Sequence, residues 1–149
     1  AFAPPSAARI EVVPVDAGLK ETALACQAAA WGAPPPAQAR FRKEVELDLA
    51  QPDRGARYFL AYLDGRPAGT GSYLHLDGFA HFSGSAVLSG CRRQGVYREL
   101  ILARMADLRA QGVPLATNHC VSTTSAPICR DLGFRKVGAF EVLQWTPPA

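Results

Sequence analysis

The sequence predicts an α/β domain with a largely antiparallel sheet, and three observations carry that expectation. Two Asp-Gly pairs, Asp64-Gly65 and Asp77-Gly78, lie between apolar runs at the spacing of tight hairpins. Residues 96–110 repeat apolar side chains at helical spacing, directly after an apolar run ending at Leu88. A further apolar run, 115–121, follows that helix and must pair after a helical crossover, which makes it parallel to the strand before the helix.

In order along the chain, residues 10–15 are a short apolar run that reads as a first strand, and Asp16 is placed to cap a helix over 19–31 that Gly32 closes. Pro34-Pro35-Pro36 predicts a loop. A second helix then carries Phe41, Val45 and Leu49 on one face, Glu44, Glu46 and Asp48 on its outer face, and stops at Pro52. Residues 57–63, 67–76 and 79–88 form an antiparallel meander through the two hairpins, with Gly84 marking a bulge or kink in the third strand. In helix 96–110 the stripe is Tyr97, Ile101, Met105 and Leu108, with Arg98, Arg104, Asp107 and Arg109 elsewhere and Gly112 as its cap. A late helix over 125–132, capped by Gly133, and a last strand over 136–145 complete the reading.

A length of 149 residues suits one domain with a real core, and 48% hydrophobic with 19% charged residues is ordinary globular composition. No apolar run approaches the ~20 residues of a membrane span, so the expectation is a soluble, cytoplasmic protein without a membrane partner. Residues 1–8, rich in Pro and Ala, read as a linker or trimmed end before a domain over 9–149. Cys26, Cys91, Cys120 and Cys129 show no Cys-x-x-Cys spacing and no His pair has metal-ligand spacing, so no metal is expected and the thiols read as free. The net charge is +3. Residues 1–74 hold eight Lys/Arg against eight Asp/Glu and residues 75–149 eight against five, a modest excess that fits a small polyanion and not nucleic acid.

That excess centres on Arg92-Arg93-Gln94-Gly95-Val96-Tyr97-Arg98, between a strand and a helix. A basic, glycine-containing turn that opens a helix collects free backbone N–H groups, the positive end of a helix dipole and arginines, which makes an anion site and most naturally a phosphate site. The segment Val87 to Leu100 resembles the pyrophosphate loop of the GCN5-related N-acetyltransferases (GNAT), whose pattern is Arg/Gln-x-x-Gly-x-Gly/Ala: Arg92 and Gly95 match, and Tyr97 stands at the last small position. Residues 125–134, ending Leu132-Gly133-Phe134, look like that family's late helix at the right distance downstream.

The resemblance implies a mixed, mostly antiparallel sheet with helices on both faces and a splayed parallel pair of central strands that admits acetyl-coenzyme A (acetyl-CoA). Backbone groups of Ser85, Ala86 and Val87 would then pair with the pantetheine arm, and the N–H groups of Arg93, Gln94, Gly95, Val96, Tyr97 and Arg98 would hold the pyrophosphate. If the Tyr97 side chain points into the core, only its N–H faces phosphate; if it points at phosphate, the cofactor reading weakens. His81 falls where some family members carry a base, and an imidazole suits removal of an amine proton near neutrality. A hydrogen-bonded sheet residue is the other reading of His81, and His119 is the second choice, facing the side opposite Asn118. His75 beside its turn reads as exposed. At the position of the family's usual tyrosine acid stands Cys129, and Ser122 replaces its asparagine, so neither role carries over.

These features imply an N-acetyltransferase moving acetyl from acetyl-CoA to a primary amine by direct attack in a ternary complex. The alternative is a non-catalytic acetyl-CoA sensor or partner domain. The acceptor would be set by the loops around 32–40 and 122–127, and the reading leaves room for a homodimer or a covalently linked second domain.

Overall fold

The computed structural model describes residues 9–145 and 147, so the expectation for residues 1–8 lies outside them. Its elements are β1 (Ile10–Pro14), α1 (Lys20–Trp31), α2 (Pro35–Ala50), β2 (Ala56–Leu63), β3 (Arg66–Leu76), β4 (Phe79–Val87), α3 (Val96–Ala110), β5 (Ala116–Asn118) and α4 (Ser125–Asp131). The sheet runs β1-β2-β3-β4-β5 in space, antiparallel as far as β4 and parallel between β4 and β5. The chain forms two compact units, one ending at His119 and one beginning at Cys120, and α4 belongs to the second.

Within the first unit, strand alternation assigns the two faces of the sheet. Phe59, Tyr73 and Phe82 stack in sequence on the face that α3 covers, with ring centroids 5.9 and 6.4 Å apart. Leu60 turns to the other face, where it forms one buried cluster with Val15 and with Ala23 and Cys26 of α1. Tyr58 shares that second face. It meets Phe41 of α2 edge-on at 6.0 Å and donates its hydroxyl proton to Asp48 at 2.6 Å.

Several expectations change. The proline run does not form a loop throughout: α2 begins at Pro35, because a first helical turn has no use for the N–H that proline lacks. Asp16 accepts from the N–H groups of Gly18 and Leu19 at 2.9 and 3.0 Å, so it holds the turn before α1 and not the helix end itself. Asp48 is buried, contrary to an outer-face position, where it also receives Arg54 at 2.7 Å. Residues 136–145 form no strand; Val137, Val142 and Leu143 are exposed there, since alternation supplies a face but only a hydrogen-bonded neighbour makes a strand.

The buried stripe of α3 is Val96, Leu100, Ile101, Arg104 and Leu108; Ile101 and Leu108 are as expected, while Val96, Leu100 and Arg104 take the places expected for Tyr97 and Met105, with Arg104 fully buried. Its guanidinium lies 4.4 Å from the Phe82 ring centroid, while Nη1 donates to the Ser72 carbonyl at 2.8 Å and Nε to that of Leu100 at 2.9 Å. The space above the sheet is made by Gly71, where a Cβ would stand 3.1 Å from the Arg104 Cζ.

Candidate functional site

The parallel pair is short. Ala80, His81 and Phe82 pair with Ala116, Thr117 and Asn118, after which β4 continues to Val87 while β5 stops. The ladder to β3 also breaks its register between Thr70 and Ser72, opposite Gly84, whose φ of +59° and crowded Cβ position, 2.9 Å from Ser72 Oγ, exclude other residues without strain. This is the bulge expected at Gly84. It is pinned from both sides: the hydroxyls of Ser72 and Ser83 lie 3.1 Å apart, and Arg104 grips the Ser72 carbonyl from beneath. Beyond the bulge come Ser85, Ala86 and Val87, with Ser85 Oγ shut from solvent and without a hydrogen-bond partner. An orphaned hydroxyl beside an unpaired strand edge is the condition in which an extended ligand gains most by supplying partners.

β4 leads into a single 3₁₀ turn at Ser89–Cys91 and then the basic turn. Arg93 and Gly95 have φ of +63° and +90°, a pattern that turns backbone N–H groups toward one concavity. A non-glycine residue in that conformation costs on the order of 1 kcal/mol, which points to a constraint at Arg93. The first bond within α3 runs from the Glu99 N–H to the Gly95 carbonyl at 3.0 Å, so the N–H groups of Val96, Tyr97 and Arg98 precede the helical ladder. Gln94 and Arg92 brace the turn by donating to the carbonyls of Gly90 at 3.0 Å and Val87 at 3.3 Å. The phenol oxygen of Tyr97 accepts from Asn118 Nδ2 at 3.1 Å. That side chain therefore reaches toward β5, leaving its N–H at the turn.

The two histidines singled out from sequence meet. His81 and His119 have ring centroids 4.5 Å apart, on the face opposite Phe82 and α3. His81 is a hydrogen-bonded sheet residue whose partner fixes its tautomer. Thr117 Oγ1 lies 2.9 Å from His81 Nδ1 and 3.5 Å from the Ala80 carbonyl. With the threonine proton assigned to that carbonyl, Oγ1 accepts from Nδ1–H, and the lone pair stays on Nε2. Burial, and then the proximity of His119, lower the His81 pKa from its usual 6.5, so the ring is neutral and able to take a proton at neutral pH. Thr117 went unnoticed in the sequence, although alternation along Thr117-Asn118-His119 puts it beside His119.

In the second unit, Cys129 is buried and Cys120 Sγ lies 3.5 Å from its sulfur. Elsewhere Cys26 is buried in α1 and its thiol is pushed up to about 11 by desolvation, which makes it inert. Among the described residues no group of three or more His, Cys, Asp or Glu could hold a metal ion, and no helix is long and apolar enough to cross a membrane.

No curated protein matches the chain. Solved structures share its fold. The aminoglycoside N-acetyltransferase AAC(6')-Iy in complex with CoA is 19% identical, with 96% of this chain and 99% of that one covered and a TM-score of 0.72. A predicted acetyltransferase from Clostridium acetobutylicum, solved with acetyl-CoA, is 10% identical with 91% and 96% covered and a TM-score of 0.71. The aminoglycoside antibiotic 6'-N-acetyltransferase AAC(6')-IG from Acinetobacter haemolyticus is 18% identical with 93% and 99% covered and a TM-score of 0.68. A family model covering residues 20–134 takes in strands β2 to β5, the bulge, the basic turn, His81 and His119, and by that match this chain belongs to the acetyltransferase (GNAT) family.

Proposed function

We propose that the chain transfers acetyl from acetyl-CoA to a primary amine by direct attack in a ternary complex, with residues 9–149 as the catalytic domain, residues 1–8 as a linker and the cytoplasm as its place of action. The observation that carries this reading is the continuous path from the unpaired edge of β4, past the orphaned Ser85 hydroxyl, into the Arg93–Gly95 turn and the open start of α3. Ser85, Ala86 and Val87 would pair with the pantetheine arm, and the N–H groups of residues 93–98 would receive the pyrophosphate.

His81 Nε2 acts as the base. The acceptor nitrogen forms a bond to the acetyl carbon, its proton passes to Nε2, and the carbon–sulfur bond breaks to release the CoA thiolate, which takes its proton from water. Strand N–H groups near the bulge polarise the thioester carbonyl, so positioning supplies most of the rate. His119 keeps the His81 ring easily deprotonated and is the second-choice base.

The test is CoA release when the purified chain and acetyl-CoA meet a broad panel of amines. Turnover with any amine supports transfer, while tight acetyl-CoA binding with none supports the sensor reading. Gly95→Trp removes acetyl-CoA binding seen by calorimetry, since a φ of +90° takes a side chain only with strain and the turn that gathers the N–H groups must rearrange; unchanged affinity would overturn the cofactor path.

A further inference from the structure

Between α1 and α2 runs a groove of about 950 Å³, a size that admits a small molecule. Its walls are largely apolar, with Leu24, Pro35 and Phe41 along it and Trp31 59% exposed at its edge. Four charged side chains line it, Glu21 and Glu46 against Arg42 and Lys43. Both carboxylates are exposed but already paired. Arg42 holds Glu21 through two bonds of 2.6 and 2.8 Å, which lower the Glu21 carboxyl pKa, and Lys20 holds Glu46 at 3.1 Å. Exposed ion pairs are weak and a polycation could break them, but doing so would free Arg42 beside the newcomer, so the groove offers no net attraction to one.

The groove and a smaller cavity under β4 share a wall. Gln27 of α1 lines the groove and equally lines this 20 Å³ cavity beneath the β4 bulge, where its Nε2 is 3.7 Å from the point a Cβ on Gly84 would occupy. Gln27 Oε1 is buried and has no hydrogen-bond partner. The terminal amide torsion is soft, so a turn about it presents this acceptor to an N–H donor arriving from the groove. His81 faces the same side of the sheet as α1.

Resting on the acetyl-transfer reading above, we propose that the acceptor is a primary amine on a largely apolar body, seated against Trp31 and Phe41 with its nitrogen received by Gln27 at the β4 bulge. Polycationic amines are poor acceptors.

The experiment compares 2-phenylethylamine with the polycationic neamine. The expected result is a kcat/KM for 2-phenylethylamine at least about tenfold above that for neamine, a Gln27→Leu variant whose KM for 2-phenylethylamine rises about tenfold, and little change in that variant's kcat. Calorimetry should give Gln27→Leu unchanged acetyl-CoA affinity. Arg42→Ala, which opens Glu21, should raise the neamine kcat/KM. A preference for neamine in the unaltered chain, or an unchanged KM in Gln27→Leu, overturns the proposal. Failure of acetyl-CoA to bind would overturn the transfer reading instead. In that case fluorescence titration with 2-phenylethylamine still decides the groove: quenching that is lost in Trp31→Ala supports it, and no quenching overturns it.

Discussion

The two halves of β4 live under different constraints. Residues 80–82 have a strand on each side, β3 and β5, and the histidine among them is held by Thr117 across the parallel pair. Residues 83–87 have β3 alone, break its register at Gly84, and keep a buried serine hydroxyl without a partner. The first half is over-determined, which suits a group that must present one nitrogen in one orientation. The second leaves backbone groups unspent, which suits recognition of an extended ligand. Opposite requirements are met within one strand because the bulge is pinned by Ser72, Ser83 and Arg104 and does not spread along it.

Breaking the paired half should have the largest effect. His81→Gln is expected to lower the maximal rate by about 10² to 10⁴ with acetyl-CoA affinity intact, measured by steady-state kinetics beside calorimetry. A loss of only a few-fold would assign His81 to structure alone. Breaking the parted half should cost stability and cofactor affinity together. Arg104→Met leaves the Ser72 carbonyl without its donor beneath the bulge, and is expected to cost about 2 to 4 kcal/mol, read from the urea midpoint at constant m-value. Its acetyl-CoA affinity should fall while the pH dependence attributed to His81 stays where it was.

The pH profile sharpens the comparison further. Only neutral His81 can accept a proton, and its pKa is lowered, so the acidic limb of kcat/KM should fall at a pH below 6.5. His119→Ala removes the like charge while leaving most of the burial, so the limb should move upward toward 6.5 and not past it. A limb unmoved by His119→Ala would show that burial alone sets it. The smallest effect is expected from Cys129→Ala, within about tenfold of the unaltered rate, because water can protonate the departing thiolate. Near-complete loss of turnover in a folded variant that binds acetyl-CoA would make Cys129 a working acid or acyl carrier, and mass spectrometry for an acetylated thiol separates those two.

What the sequence determined by itself lay within a few residues at a time. Asp64-Gly65 and Asp77-Gly78 encode their own turns, Gly84 its bulge, Arg92 to Arg98 the basic turn and open helix start, and a helical crossover the parallel sense of β5, because each needs only backbone conformation or chain geometry. Only the tertiary structure decided where polar groups find distant partners. Arg104 and Asp48 carry charges that periodicity assigns to a surface, yet both are buried, since the Ser72 carbonyl, 32 residues from Arg104, and Arg54 with Tyr58 around Asp48 offset their desolvation. The same holds for His81, whose ring meets Thr117 and His119 only once β4 and β5 are in register, and for residues 136–145, whose alternation supplies a face without the neighbour a strand requires. Turn chemistry is local and so can be read from neighbouring residues; compensation of buried charge and the orientation of the His81 ring depend on register across the sheet, which only the folded chain possesses.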